Sequence, residues 1–416
     1  MSLSIKNIPS DWELKNLGGV STIIMGQSPS SNSYNEIGIG SYLIQGNADI
    51  KNRKSLPRQW TSEPTKICKI GDILMTVRAP VGAIAKSNHN ACIGRGVCSI
   101  KSKNTDNEFL YQFLLSYESK WKSLEQGSTF TAVNGVDIRG INIPIPPLKE
   151  QQKIAEILST VDAKISIIDA QISETQNLKK GLMQSLLSKG IGHTEFKKSA
   201  LGEIPKSWEV LAIDDLFDFI PTKSLSRAQL NYNKGELLYI HYGDIHSTFK
   251  YPVLNVNEIN LPRVNIEIDI KGNIEYLKQG DLILADASED VVGIGKCIEL
   301  NNLKNKKIIG GLHTIVMRDK LGKTADGFRT YLLTSPIILP SLKRIATGAS
   351  VQGVSKGNLK KIKILIPPLK EQQKIASILS SVDEKLGVLS EKKSYYQNLK
   401  KGLMQQLLTG LVRVSV

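Results

Sequence analysis

Two stretches of this chain are nearly the same. Residues 145–165 read IPPLKEQQKIAEILSTVDAKI and residues 366–386 read IPPLKEQQKIASILSSVDEKL, identical at 17 of 21 positions. A second pair keeps the same offset of 221: QNLKKGLMQSLLSKGI starts at 176 and QNLKKGLMQQLLTGLV at 397. Weaker echoes lie upstream, IPSDWELKNL from Ile8 against IPKSWEVLAI from Ile204, and Gly71-Asp72-Ile73-Leu74 against Gly280-Asp281-Leu282-Ile283. The chain therefore alternates a variable block with a repeated block, twice. Near-identical segments point to one structural task performed twice. Diverged segments point to one kind of task aimed at two targets.

The repeated blocks read as helices. Prolines at 144, 146 and 147, and at 367 and 368, hold the backbone extended and stop whatever precedes them. Beyond them, apolar residues recur at Ile154, Leu158, Val161, Ile165, Ile168 and Ile172, a 4-3-4-3-4 spacing. The second copy gives Ile375, Leu379, Val382, Leu386 and Leu389, with Gly387 inside it at a cost of about 1 kcal/mol relative to Ala. Each seam then shifts register, to Leu178, Leu182 and Leu186 and to Leu399, Leu403 and Leu407; Gly190 and Gly410 are expected to end the helices. About 40 residues make a helix of roughly 60 Å. Such a helix needs a partner for its apolar stripe, and its twin is the nearest candidate. The first variable block leads into helix one. The second starts shortly after helix one ends and leads into helix two. Paired, the helices are expected to run antiparallel.

The variable blocks carry short β-type runs, Ile73–Val77, Leu237–Ile240, Leu282–Ala285 and His313–Met317, between Gly, Asn, Asp and Pro clusters. Helical patches follow at 108–121 and 327–333. The expected fold class is α+β: two globular α+β domains joined by two long helices that form an antiparallel coiled coil, with pseudo-twofold symmetry. Expected boundaries are a first domain over 1–148, a helix over 149–190, a linker over 191–203, a second domain over 204–368 and a second helix over 369–416.

A net charge of +15 favours a polyanionic partner, though the excess is spread along the chain and not gathered in a tail. Four scattered cysteines (Cys68, Cys92, Cys98, Cys297) without a CxxC pair suit reduced thiols in the cytosol. No apolar run is long enough to span a membrane and the start lacks a leader pattern, so a cytoplasmic protein is expected. No catalytic signature stands out. The Pro-Pro pairs all precede helices, so none belongs to an adenine-methyltransferase motif. Gly322-Lys323-Thr324 has Met317 where a phosphate loop needs its first glycine. His241 and His246 do not make a convincing metal pair.

Polar and basic residues in expected loops remain as candidate DNA contacts. They are Gln45, Asn47, Arg58, Arg78 and Arg95 in the first block, with Arg53 and Lys54 nearby. The second block offers His241, Tyr242, Arg263, Lys296, His313 and Arg344, with Lys343 beside the last. Arginine suits guanine O6 and N7, asparagine or glutamine suits adenine N6 and N7, and lysine commonly sits on phosphate.

The repeated Pro-Pro-Leu-Lys-Glu-Gln-Gln-Lys-Ile-Ala, followed by a long heptad helix, resembles the conserved regions of type I restriction specificity subunits across essentially the whole chain. The Gly-Asp-Ile-Leu segment, and the Gly-Ser-Thr (127–129) and Gly-Ala-Ser (348–350) turns, look like the family too. The resemblance implies two target recognition domains reading an asymmetric, bipartite double-stranded DNA site. It implies two methyltransferase subunits and restriction subunits as partners, with S-adenosylmethionine, ATP and Mg2+ used by those partners and none by this chain. Two rival classes are a self-contained nuclease or methyltransferase, which lacks its motifs here, and a tandem protein-binding scaffold, which would show no salt-sensitive DNA affinity.

Overall fold

A computed structural model of the chain describes residues 8–125, 132–289, 293–348 and 352–415. The turn motifs at 127–129 and at 349–350 lie outside the described residues. The chain divides into two compact units, one formed by residues up to Ile168 together with those from Lys392 onward, the other by Asp169–Glu391.

In the first unit, a six-stranded sheet runs in the order 21–25, 97–102, 73–76, 84–86, 54–55, 50–51. A five-stranded sheet contains strand β1 (Ser41–Ile44), parallel to strand β2 (Ala91–Ile93) with Ile44 opposite Ile93. The Asn107–Glu125 helix packs Phe109, Phe113 and Leu114 into a core shared with Ile73, Met75 and Ile100. The 73–76 strand is fully buried, whereas the 97–102 strand is buried as far as Ile100 and then emerges at Lys101. The hydrogen bonds of Asp72 explain the Gly-Asp echo. Its carboxylate accepts the Lys69 N–H and the Ser99 hydroxyl and so closes the turn that opens strand 73–76. The long helix α1 (Leu148–Leu186) starts in this unit and ends in the other.

The second unit repeats the plan. A five-stranded sheet runs 217–220, 314–319, 282–285, 297–301, 253–255. Asp281 takes the place of Asp72, accepting the Lys278 N–H and the Arg318 guanidinium. Strand β3 (Leu238–Ile240) leads into the short helix α2 (Tyr242–Ser247) and lies parallel to strand β4 (Ile308–Gly310), with Ile240 opposite Gly310. The stretch expected as a linker carries a hairpin: Phe196–Ser199 pairs with Gly202–Pro205. The second long helix α3 (Leu369–Leu407) starts in this unit and ends in the first.

Each unit thus holds the start of one long helix against the end of the other. In the first, Ile154, Ala155 and Leu158 share a core with Leu407 and Leu408, and Asp162 pairs with Lys400. In the second, Ile375, Ala376 and Leu379 share a core with Leu186 and Leu187, and Asp383 pairs with Lys179. Start meets end in both, so the helix segments run antiparallel within each unit. Of the seam residues, Ile154, Leu158, Val161, Ile168, Ile375, Leu379, Val382 and Leu389 are buried, and Ile165 and Leu386 are half-buried.

One expectation fails. Leu178 and Leu399 are 54% and 37% exposed. The inward position belongs to the next residue, Lys179 or Lys400, whose ammonium reaches the partner helix's aspartate. A step of one residue turns about 100° around a helix, which points the leucine outward.

The Pro-Pro-Leu-Lys-Glu-Gln-Gln repeat now has a physical reason. Pro147 and Pro368 accept the first helical N–H groups, those of Glu150 and Gln151 and of Glu371 and Gln372. The Gln151 and Gln372 amides donate back to Pro146 and Pro367, and accept the N–H of Asp106 and of Ala325. The Glu150 and Glu371 carboxylates accept the indole N–H of Trp12 (3.1 Å) and of Trp208 (3.0 Å), the tryptophans of the upstream echo. Each glutamate also holds the end of the other helix's chain: Arg413 on Glu150, and His193 with the Ile191 N–H on Glu371. Gly190 and Gly410, at φ +67° and +72°, turn the chain after each helix at these joints.

Candidate nucleic-acid interface

Both units place several of their candidate residues on the loops that leave the ends of the parallel strand pair, Gln45, Asn47 and Arg95 in the first and His241, Tyr242 and His313 in the second. In the first unit, β1 runs into Gln45, Gly46 and Asn47. The buried Asp49 carboxylate holds this turn, accepting the Gln45 N–H at 2.8 Å and the Arg58 Nε at 3.0 Å. After β2 comes Gly94-Arg95-Gly96. The Gly94 N–H donates to the Ile44 carbonyl, and the Arg95 N–H donates to the Ser28 hydroxyl. The Gly96 carbonyl accepts the Val77 N–H, which brings Arg78 to the same set of segments. Asn47, Arg58, Arg78 and Arg95 are exposed and Gln45 is half-buried. Arg53 is used differently: its guanidinium binds the Glu118 carboxylate and the Ile84 carbonyl.

In the second unit, β3 runs into His241 and Tyr242. The Arg227 guanidinium grips the buried Asp244 carboxylate at 2.6 and 3.2 Å. The Gly243 N–H donates to His241 Nδ1 at 3.1 Å, so His241 caps α2. The Tyr239 hydroxyl accepts the Leu225 and Leu312 N–H groups and donates to the Lys223 carbonyl, tying two loops to one strand. The Tyr242 ring lies 4.6 Å from that of His241 and 5.3 Å from that of His313. His313, exposed at φ +53°, pairs with Asp286.

Three expected contacts stand apart from this cluster or serve it structurally. Lys296 donates to the His246 carbonyl at 2.7 Å, and Arg263 donates to the Gly235 carbonyl at 2.7 Å. Arg344 is exposed in the last turn of the Leu339–Ile345 helix. The residues that the sequence did not single out are the ones that fix the loops: Asp49, Arg227, Tyr239, Asp244 and Asp286.

The electrostatics follow burial. Burial, then the neighbouring Arg227, holds the His241 imidazole below the ordinary histidine range. Burial raises the Asp286 carboxyl, against the pull of His313, and burial lowers the Lys296 ammonium. The cluster offers a neutral ring donor, aromatic faces and cations. Among the described residues, no group of three or more His, Cys, Asp or Glu side chains is placed to hold a metal ion. None of the described helices is long and apolar enough to cross a membrane. The cysteines are buried and free, with burial raising the Cys98 and Cys297 thiols to about 12.

Comparison with known proteins agrees with this architecture. A family model described as the type I restriction modification DNA specificity domain matches residues 9–177 and again 205–394. The putative type I restriction enzyme MjaX specificity subunit of Methanocaldococcus jannaschii is 40% identical over 188 residues, 44% of this chain and 44% of that protein. The type I restriction enzyme MjaVIII specificity subunit of the same organism is 28% identical over 427 residues, 98% of this chain and 94% of that protein. The crystal structure of a type I restriction-modification system S subunit from M. genitalium shares the fold, with a TM-score of 0.60 over 98% of each chain at 16% identity. The two matched segments take in most of the chain, one in each half, and the chain belongs to the type I restriction-modification specificity subunits, which recognise DNA and are not themselves catalytic.

Proposed function

We propose that the chain reads an asymmetric, bipartite site on double-stranded DNA, each domain reading one half-site. The domains are 1–148 and 204–368, with 149–190 and 369–416 as spacer helices and 191–203 between. The observation that carries this reading is one scaffold bearing two sets of polar side chains. The loops after β1 and β2 present Gln45, Asn47 and Arg95. The corresponding loops after β3 and β4 present His241, Tyr242 and His313. Equal frames with unequal readers suit two different half-sites.

The long helices are also the docking surface for two methyltransferase subunits. Apolar residues at matching repeat positions face outward in both: Leu148 and Leu369, Ile167 and Val388, Leu178 and Leu399. A surface present twice suits two copies of one partner. Restriction subunits join that assembly. S-adenosylmethionine, ATP and Mg2+ serve the partners, and the complex works in the cytoplasm where the DNA is.

Exchanging residues 205–368 with those of a relative is the test. One half-site of the mapped methylation target should change and the other should not. A simultaneous change in both would overturn independent reading. Retention of random duplex in a gel shift should fall steeply across a salt series, as phosphate contacts release counterions. Salt-independent binding would favour the protein-scaffold reading.

A further inference from the structure

We propose that Gln45 and His241 are equivalent base-reading side chains, one for each half-site, held in place by the Asp49–Arg58 and Asp244–Arg227 pairs. This assignment rests on the reading of the two domains as half-site readers and adds the side chains that discriminate.

The equivalence comes from the strands. β1 ends at Ile44 opposite Ile93, and β3 ends at Ile240 opposite Gly310, both in parallel register. The next residue is Gln45 in one unit and His241 in the other. A buried aspartate follows within the same turn, Asp49 at 4% exposure and Asp244 at 3%, and each is gripped by an arginine from another segment. The domains have diverged in sequence and in length, yet a buried Asp–Arg pair adjoins this residue in both: the Asp49 carboxylate accepts the Gln45 N–H, and the Asp244 N–H donates to the His241 carbonyl. What differs is the side chain presented there.

His241 carries the stronger geometric evidence. The residue is only 7% exposed. Nδ1 is occupied by the Gly243 N–H, so the proton of the neutral ring sits on Nε2. No described residue pairs with Nε2. The largely buried ring thus keeps one donor open at the surface, where an outside acceptor can replace water. On a major-groove edge, guanine offers two adjacent acceptors, O6 and N7. Gln45 presents an amide donor and acceptor together, which match N6 and N7 of adenine and cannot both be satisfied by guanine. Adenine N7 and thymine O4 each accept as well, but guanine alone sets two acceptors side by side, so His241 is assigned to guanine and Gln45 to adenine. Asp244 and Arg227, like Asp49 and Arg58, are positioning residues.

The experiment maps methylated sites for the complete complex with its modification subunits, carrying H241Q, H241A or Q45H. Each substitution is expected to alter preference at one base pair of one half-site. Discrimination there should fall by about fivefold to 150-fold, while the other half-site is unchanged. H241Q should move the preference at its base pair from guanine toward adenine. Asp244→Asn should lower discrimination at the same base pair as H241A, whereas a merely structural role would weaken every position alike. If H241A fails to fold, H241Q and Q45H, in separate domains, still decide the matter. Variants that melt like the wild type and keep its preference at every base pair would overturn the assignment. Should the exchange of 205–368 still move one half-site in that event, only the assignment of Gln45 and His241 falls. Should the exchange move neither, the reading of the domains falls with it.

Discussion

Lys400 and Asp162 are 238 positions apart in the chain, and the lysine ammonium lies 2.7 Å from each oxygen of the aspartate carboxylate. Gln112 donates to the same carboxylate at 2.8 Å, so one side chain joins two helix segments and the Asn107–Glu125 helix. Lys400→Met should destabilise the first unit by about 1–2 kcal/mol, less than a fully buried pair because Asp162 is partly exposed. In a double-mutant cycle with Asp162→Asn, measured by urea unfolding, the coupling should be about 1 kcal/mol. Additive effects would show that the pair contributes nothing beyond its separate members.

Gly387 is a tolerated weakness in a long helix, and the structure supplies its reason. A Cβ there would lie 2.0 Å from the Tyr251 hydroxyl and 2.5–2.6 Å from the ring. Helix propensity alone would make Gly387→Ala stabilising by about 1 kcal/mol. The clash reverses the sign, and we expect a loss of about 1–3 kcal/mol in thermal or urea unfolding. Adding Tyr251→Ser should make the alanine favourable again. A stabilised Gly387→Ala single variant would mean that Tyr251 yields freely.

Val161 and Val382 are each 8% exposed. Val161→Asp or Val382→Asp buries a carboxylate without a partner, which should cost about 3 kcal/mol or more. The loss should show as weaker binding to the proposed bipartite site, while hydrogen exchange in the sheets stays near the wild-type rate. Loss of protection throughout the sheets would show that the domains cannot hold without the seam.

Seven residues added to each helix, one heptad, keep the seam in phase and add about 10 Å of helix at 1.5 Å per residue. If the helices set the spacing, the unspecified gap between half-sites should grow by up to about three base pairs, less if DNA bending absorbs part of the length. Methylation-site mapping reads this directly. An active lengthened variant with the original gap would show that something else is the ruler.

The His241 imidazole is held below its ordinary value by burial and then by Arg227, with His313 acting in the same direction and Asp244 against. The unfolded chain therefore takes up the proton first. The native second unit should lose stability as pH falls from about 6.5 toward the lower folded value. H241Q should lack this part of the fall. Melting curves of both proteins at about pH 7.5 and about pH 5.5 test it, and parallel shifts would be evidence against a depressed His241.

Much of this was legible in the sequence because it lay in periodicity. The 221-residue offset and the heptads revealed the two helices, and the Leu282–Ala285 run is a strand with the same ends. The joints were not legible. Trp12 and Glu150 meet across 138 positions and Trp208 and Glu371 across 163, so the motif and the upstream echo looked like separate signals. Leu178 and Leu399 misled because leucine outranks lysine in any apolar pattern, while the geometry gives the inward place to Lys179 and Lys400. At the candidate interface, Gln45, Asn47, Arg95, His241, Tyr242 and His313 were chosen by residue type and expected loop position. Arg227 and Asp244 were passed over because a paired charge has no local signature.

The first unit is interrupted: its last part, from Lys392 onward, comes after the whole of the second. During synthesis, the second unit is complete on the ribosome while the first still lacks Lys400, Leu407, Leu408 and Arg413. The earliest-made sheets must wait for the latest-made residues, so a premature stop after Glu391 would spare the second unit's own core and damage the first. A late truncation would therefore leave one unit with its core whole and the other without its closing residues.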